Sequence, residues 1–256
     1  MIGAIFGDIV GSVHEREGTK TTEFPLFVPR SRFTDDTVMT IATAEALLSG
    51  ESYDRAYRRW GLRYPHAGYG GAFKAWLRTP NAPPYNSWGN GSAMRVSPVA
   101  YVHDTVDKVL AEAERSAAVT HDHSEGIKGA QAAALAVFLA RVGVNKSEIR
   151  RELESWFGYD LSRTIDEIRP SYRFDVSCQG SVPEALIAFL DTDDLETAIR
   201  TAISLGGDAD TQAAIAGAAA AAFAGTVSVA VQGEVRARLP DDMIEVLDAF
   251  AERYPA

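Results

Sequence analysis

The sequence predicts an all-α fold, built as a single compact helical domain over residues 1–256. Three observations predict it. Apolar residues recur at three- and four-residue steps through most of the chain, the period of a helix with one buried face. The alternation of a half-buried strand is scarce: Val227-Ser228-Val229-Ala230-Val231 is the one good candidate, and it could equally begin a helix. No internal repeat and no Ser/Gly-rich linker divides the chain.

Taken in order, Ile2, Ile5, Phe6, Ile9, Val10 and Val13 mark a first helix. From Asp36 the series Val38, Ile41, Ala42, Ala44, Leu47 and Leu48 marks a second, with Gly50 as its C-cap. Tyr53, Tyr57 and Trp60 suggest a third. Between Tyr64 and Gly91, Gly, Pro, Asn and aromatic residues replace the periodicity, which predicts a long loop with one short helix around Phe73 to Leu77. Loops of that length in compact domains are usually functional or disordered. Tyr64, Tyr69, Tyr85 and Trp88 favour order. Helical spacing returns over 92–102, 105–118, 126–141, 146–157, 183–190, 194–204, 211–224 and 240–253. The alanine-rich stretch 213–224, with Gly217 inside it, reads as a central helix that others approach closely.

Composition bounds the function. The chain is 46% hydrophobic and 23% charged, enough to bury a sizeable core. A formal charge of −10 argues against a nucleic-acid partner, which would select basic patches. Cys178 is the only cysteine, so an internal disulfide and a cysteine zinc site are excluded and a reducing, cytoplasmic setting is expected. The N-terminus runs from Met1 into a patterned segment with no basic region, so no signal peptide is expected. The most apolar stretch, Ala213 to Ala224, is too short and too rich in alanine to span a bilayer, so no membrane partner is expected either.

Two clusters carry the chemistry. Thr34-Asp35-Asp36-Thr37 and Gly206-Gly207-Asp208-Ala209-Asp210-Thr211 each place two carboxylates and a threonine hydroxyl where a helical pattern begins. Either alone also fits a helix N-cap with an acidic first turn. A hard divalent cation wants about six oxygens at about 2.0–2.1 Å, which neither cluster can supply by itself. Brought together by the fold, they could build a two-metal site, with Asp210 as the bridging group. On the first helix Asp8, Ser12 and Glu15 share one face at i, i+4 and i+7, and Glu15 could join the cluster. So many carboxylates would hold protons at neutral pH unless cations offset their repulsion. A third segment, Gly89-Asn90-Gly91-Ser92-Ala93-Met94-Arg95, combines tight-turn steps with Ser92 as a cap for the next helix. Its free backbone N–H groups could meet a phosphate. In Thr120-His121-Asp122-His123-Ser124 the histidines are two apart and do not share a helix face, so a hydrogen-bonding or substrate-facing His121 is preferred over zinc, with a packed, satisfied histidine as the alternative.

These motifs, from Gly7-Asp8-Ile9-Val10-Gly11-Ser12 with Glu15 to Leu205 through Thr211, occur in one order that resembles the ADP-ribosylglycohydrolase family. The resemblance implies the compact all-α fold of that family and a centre of two Mg²⁺ or two Mn²⁺ ions. The implied metal ligands are Thr34, Asp35, Asp36, Asp208, Asp210 and Thr211, with Glu15 beside them. Gly89, Asn90, Gly91, Ser92, Met94 and His121 would line an ADP-ribose cleft. The implied reaction is hydrolysis of the C1″ glycosidic bond of an ADP-ribosylated protein or small-molecule ADP-ribose conjugate by a metal-activated water. Glu15 or Asp35 would accept or relay the proton. Two other readings share the ligands: a two-metal phosphoesterase or pyrophosphatase on a nucleotide diphosphate, and a non-catalytic ADP-ribose-binding module. The chain departs from the family pattern at one point. Some arginine-specific relatives carry an acidic residue on the loop after the first metal motif, whereas here no Asp or Glu occurs between Asp54 and Asp104.

Overall fold

In the computed structural model of the chain, which describes residues 1–255, fifteen helices and one isolated β-bridge make up the regular structure. In chain order the helices are α1 (Ile2–Gly11), α2 (Asp35–Ser49), α3 (Tyr53–Arg63), α4 (Gly71–Arg78), α5 (Gly91–Met94), α6 (Val99–Val102), α7 (Val106–Ala118) and α8 (Ser124–Arg141). They continue as α9 (Lys146–Phe157), α10 (Ile165–Ile168), α11 (Cys178–Leu190), α12 (Leu195–Ile203), α13 (Ala209–Ala224), α14 (Val229–Arg236) and α15 (Asp241–Arg253).

The alanine-rich segment is the centre, as its composition predicts. Every residue of α13 from Ala209 to Ala222 is buried, and α1, α8, α11 and α12 pack around it. Small side chains let four neighbours reach one axis without overpacking. The closest approach is that of α1, and glycine makes it possible. Gly3, Gly7 and Gly11 recur every four residues and form a stripe along α1. A Cβ on Gly7 would sit 2.0 Å from Ala213 O, and one on Gly3 would sit 2.2 Å from Gly217 O. Gly11 in turn rests against the backbone of Asp210. The two helices therefore run antiparallel, and the end of α1 lies beside the start of α13. Contact between the sequence-distant Asp8 and Asp210 regions follows from this pairing. An outer group, α2 with α3 and α15 and α7 with α8, completes the core.

The structure revises several boundaries. Helix α1 stops at Gly11, with Ser12 N donating back to Asp8 O, so Glu15 lies in the following turn and not on the helical face of Asp8 and Ser12. The expected 92–102 helix divides into α5 and α6 because Pro98, which has no N–H, stands at the start of α6. Helix α11 begins at Cys178, five residues before the expected 183, since Ser177 Oγ caps it by accepting from Gly180 N at 3.0 Å. Residues 227–231 form no strand. Ser228 Oγ accepts from Val231 N instead and starts α14. The long loop contains the expected short helix, α4, and Gly50 caps α2 at φ 74°. Among the described residues no helix is long and apolar enough to cross a membrane.

Candidate active site

Asp8, on the last turn of α1, is fully buried and accepts four hydrogen bonds. Thr34 N donates to its Oδ2 at 2.9 Å and Thr34 Oγ1 to its Oδ1 at 2.7 Å. Thr37 donates through both its N–H, at 3.1 Å, and its hydroxyl. The two threonines thus pin the start of α2 to α1. Thr34 also caps α2, its Oγ1 accepting from Asp36 N at 3.3 Å. The carboxylates of Asp35 and Asp36 are left for other work. Asp36 Oδ1 is buried without a partner. From the other end of the chain, Asp208 and Asp210 open α13, and Asn90 Nδ2 donates to Asp208 Oδ2 at 2.7 Å and to Ser181 Oγ at 3.2 Å. Asp8, Asp36 and Asp210 bring carboxylate oxygens within 4.8 Å of one another.

Such a cluster resists ionisation. Burial pushes the Asp8 carboxyl up despite its four donors. Asp35 is raised to about 7 by burial and then by the charges of Asp8, Asp208 and Glu15. Asp36 and Asp210 are held well above the usual carboxylate range, again by burial first and by their acidic neighbours second. Asp208 shifts upward for the same leading reason. Without a counter-charge these groups keep protons. Hard oxygen donors, an unpartnered Asp36 oxygen and a surplus of negative charge fit a hard divalent cation such as Mg²⁺ or Mn²⁺.

Four members of the cluster, Asp35, Asp36, Asp208 and Asp210, line a cavity of about 700 Å³, and Asp8 supports them from outside its lining. Glu15, Thr34, Asp35, Asp36, Asp208, Asp210 and Thr211 all face it, as do Gly89, Asn90, Gly91, Met94 and His121. Ser92 stands apart. It lies inside α5 rather than at its cap, and its hydroxyl donates to Gly126 O at 2.7 Å, away from the cavity. The loop before α5 is clamped by the Gly89–Ser177 bridge, with Asn90 N donating to Val176 O and Cys178 N to Trp88 O. The N–H groups of Gly89 and Asn90 are therefore already committed. The 64–91 loop folds back over the first acidic turn: Asp35 N donates to Ala67 O at 2.9 Å. Gly68 takes φ 125° there, where a Cβ would lie 2.7 Å from Asp35 Oδ1.

Two supports of the site are not evident from local sequence. Asp8 reads there as one of three polar residues on a helix face and as part of the first motif, with no partner assigned, and Thr37 only as part of an acidic turn. A signal for Asp8 is present all the same: an aspartate amid buried apolar and glycine residues on a helix must be satisfied by something. Tyr69, buried on the cavity wall with an unpartnered hydroxyl, has no such signal beyond its place in an aromatic loop.

A helical domain that brings the starts of α2 and α13 together over buried carboxylates, beside a cavity of about 700 Å³, defines a class of helical protein with an acidic site fit for cations. The family model for ADP-ribosylglycohydrolase matches residues 1–256. The mouse (Mus musculus) ADP-ribosylhydrolase ARH3 is 31% identical, covering 90% of this chain and 84% of its own length. The human (Homo sapiens) ARH3 is 30% identical over 88% and 84%. An ADP-ribosylarginine hydrolase, Tri1 of Pseudomonas putida (strain GB-1), is 26% identical over 88% of this chain and 69% of its own. A solved structure described as an ADP-ribosylglycohydrolase-related protein complex superposes with a TM-score of 0.70 at 26% identity, covering 98% of this chain and 96% of that one. The chain belongs to the ADP-ribosylglycohydrolase family and is a hydrolytic enzyme.

Proposed function

We propose that this enzyme hydrolyses the C1″ glycosidic bond of an ADP-ribosylated protein or small-molecule conjugate and releases ADP-ribose. Residues 1–256 would act as one domain, a reading supported by the family match over the same span. Thr34, Asp35, Asp36, Asp208, Asp210 and Thr211 would hold two Mg²⁺ or Mn²⁺ ions, with Glu15 beside them. The observation that carries this reading is the convergence of Asp8, Asp36 and Asp210 within 4.8 Å, with Asp36 and Asp210 lining the cavity and Asp36 Oδ1 lacking any partner. Bound ions would supply Lewis-acid charge for orienting and polarising water.

The chain's own residues do the rest. Asp8 fixes the Thr34 to Thr37 turn through its four hydrogen bonds, and Asn90 orients Asp208. Both supports set ligand geometry in the manner of an outer shell. Bond breaking at C1″ develops positive charge on the ribose, and the excess of carboxylates offsets it. Glu15, at the cavity wall beside Asp35 and Asp208, or Asp35 itself accepts or relays the proton. The 64–91 loop adds Tyr69 and Tyr85 but no carboxylate, which supports a linkage other than arginine. The decisive assay offers ADP-ribosylated arginine, serine and acyl substrates with metal and with chelator. Free ADP-ribose, lost on chelation, is the expected product. Release of AMP would make the protein a phosphoesterase, and intact substrate would make it a binding module.

A further inference from the structure

His121 ends a buried chain of hydrogen-bonding groups that begins at Arg95. The Arg95 side chain is 1% exposed, and its guanidinium lies 4.2 Å from the centre of the Tyr57 ring. Tyr57 is itself held through its hydroxyl by Thr43 and Ser116, so the platform under Arg95 is fixed. Arg95 Nη2 donates to Ser116 O at 3.0 Å and to Thr120 Oγ1 at 2.9 Å. Thr120, with no exposure, sets Oγ1 at 2.7 Å from His121 Nδ1. An arginine carries donors only, so Thr120 Oγ1 must accept from it. The threonine keeps its own proton, and among the described residues His121 Nδ1 is the one acceptor within reach of it. An Nδ1–H could also donate to Thr120 Oγ1, but the threonine proton would then be buried without an acceptor; the arrangement that satisfies both groups leaves Nδ1 bare and puts the ring proton on Nε2. Nε2 is the nitrogen turned to the cavity, since a Cβ on Gly91 would lie 3.2 Å from it. Burial and the charge of Arg95 both keep the ring from gaining a second proton near neutral pH.

Resting on the ADP-ribosyl reading of the cleft, we propose that Arg95 and Thr120 are positioning residues that lock His121 as the Nε2–H tautomer. His121 thereby offers one fixed hydrogen-bond donor to an acceptor oxygen of the ADP-ribosyl group. In the opposite tautomer Nε2 would present a lone pair and repel that oxygen. The device makes His121 a donor in binding and withdraws it from the role of general base. No proton leaves the chain in this step; the hydroxyl of Thr120 and the imidazole N–H keep theirs.

Imidazole ¹⁵N spectra of the intact protein, with selectively labelled histidine, test this directly. The ligand-free wild type should show His121 protonated at Nε2 and bare at Nδ1. Thr120→Val removes the proton that holds Nδ1 and should release this pattern, weakening ADP-ribose binding about tenfold while leaving Mg²⁺ affinity unchanged. Thr120→Ser restores the hydroxyl and should recover both the spectrum and the affinity. A wild-type proton on Nδ1, or a Thr120→Val protein that binds ADP-ribose as tightly as wild type, overturns the proposal. If the wild type fails to bind ADP-ribose at all, the cleft reading falls, while the ligand-free spectrum still decides the tautomer. Should Thr120→Val not fold, the wild-type spectrum alone decides: a proton on Nε2 supports the lock, and one on Nδ1 overturns it.

Discussion

Asp36 is the residue whose position is hardest to explain without a cation, because it is 3% exposed and one of its oxygens has no partner. A buried carboxyl with an unpartnered oxygen costs stability whether ionised or protonated, so the group is there for what binds to it. Asp36→Asn removes its capacity to ionise. In chelator the variant should melt no lower than wild type, and added Mg²⁺, which raises the wild-type midpoint by favouring the native state, should raise it little. Turnover should fall roughly 100-fold or more, beyond the 10–100-fold typical of an outer-shell change. Asn90 is read from sequence as a substrate-side residue, yet its amide donates to Asp208. Asn90→Ala should therefore weaken Mg²⁺ binding about tenfold, measured by calorimetry, as well as ADP-ribose binding. An unchanged metal affinity would return Asn90 to the substrate side alone. The acidic residues were legible because two carboxylates and a threonine in a few residues exceed what capping needs. Asp8 was not, because its partners Thr34 and Thr37 lie on another helix and no local pattern joins them.

At the scale of elements, the α1–α13 pair sets the site. Gly7→Ala would drive a Cβ to 2.0 Å from Ala213 O, backbone that cannot swing aside. The expected result is a loss of about 3 kcal/mol or more, read as a lowered denaturation midpoint, with metal binding lost in parallel. Gly233, inside α14, has open space around its missing Cβ. Gly233→Ala should instead stabilise the protein by about 0.5–1 kcal/mol, since alanine loses less entropy in a helix. That contrast separates a packing glycine from an idle one. The sequence showed helices wherever apolar spacing was long and clean, as in α2, α7 and α8. It misjudged ends governed by a single cap or proline: Ser177 opens α11 early and Pro98 splits α5 from α6; the run at 227–231, which sequence leaves open between strand and helix, is decided by Ser228, which starts α14. A cap acts through one hydrogen bond and leaves no periodic trace.

For the whole molecule, a net charge of −10 becomes specific once five aspartates are seen packed at one point. Their carboxyls bind protons more tightly folded than unfolded. Their contribution to the metal-free native state is therefore present in full below the ordinary value of 3.8 and is lost as pH rises from there through about 7, the value to which Asp35 is raised, and beyond. Cations need the ionised groups, so Mg²⁺ affinity should climb across the same window. Melting curves against pH, with chelator and with Mg²⁺, should diverge as the solution turns alkaline; parallel curves would contradict this. The global topology was legible only as a class. Nothing in the spacing of Asp36 and Asp210 said that they meet, and the glycine stripe of α1 that brings them together reads as loose sequence until α13 is laid against it. The central claim is best tested by anomalous diffraction from crystals grown with Mn²⁺. The account predicts two peaks about 3.5–4 Å apart among Asp35, Asp36, Asp208 and Asp210. An acidic floor without anomalous density at saturating Mn²⁺ would contradict it.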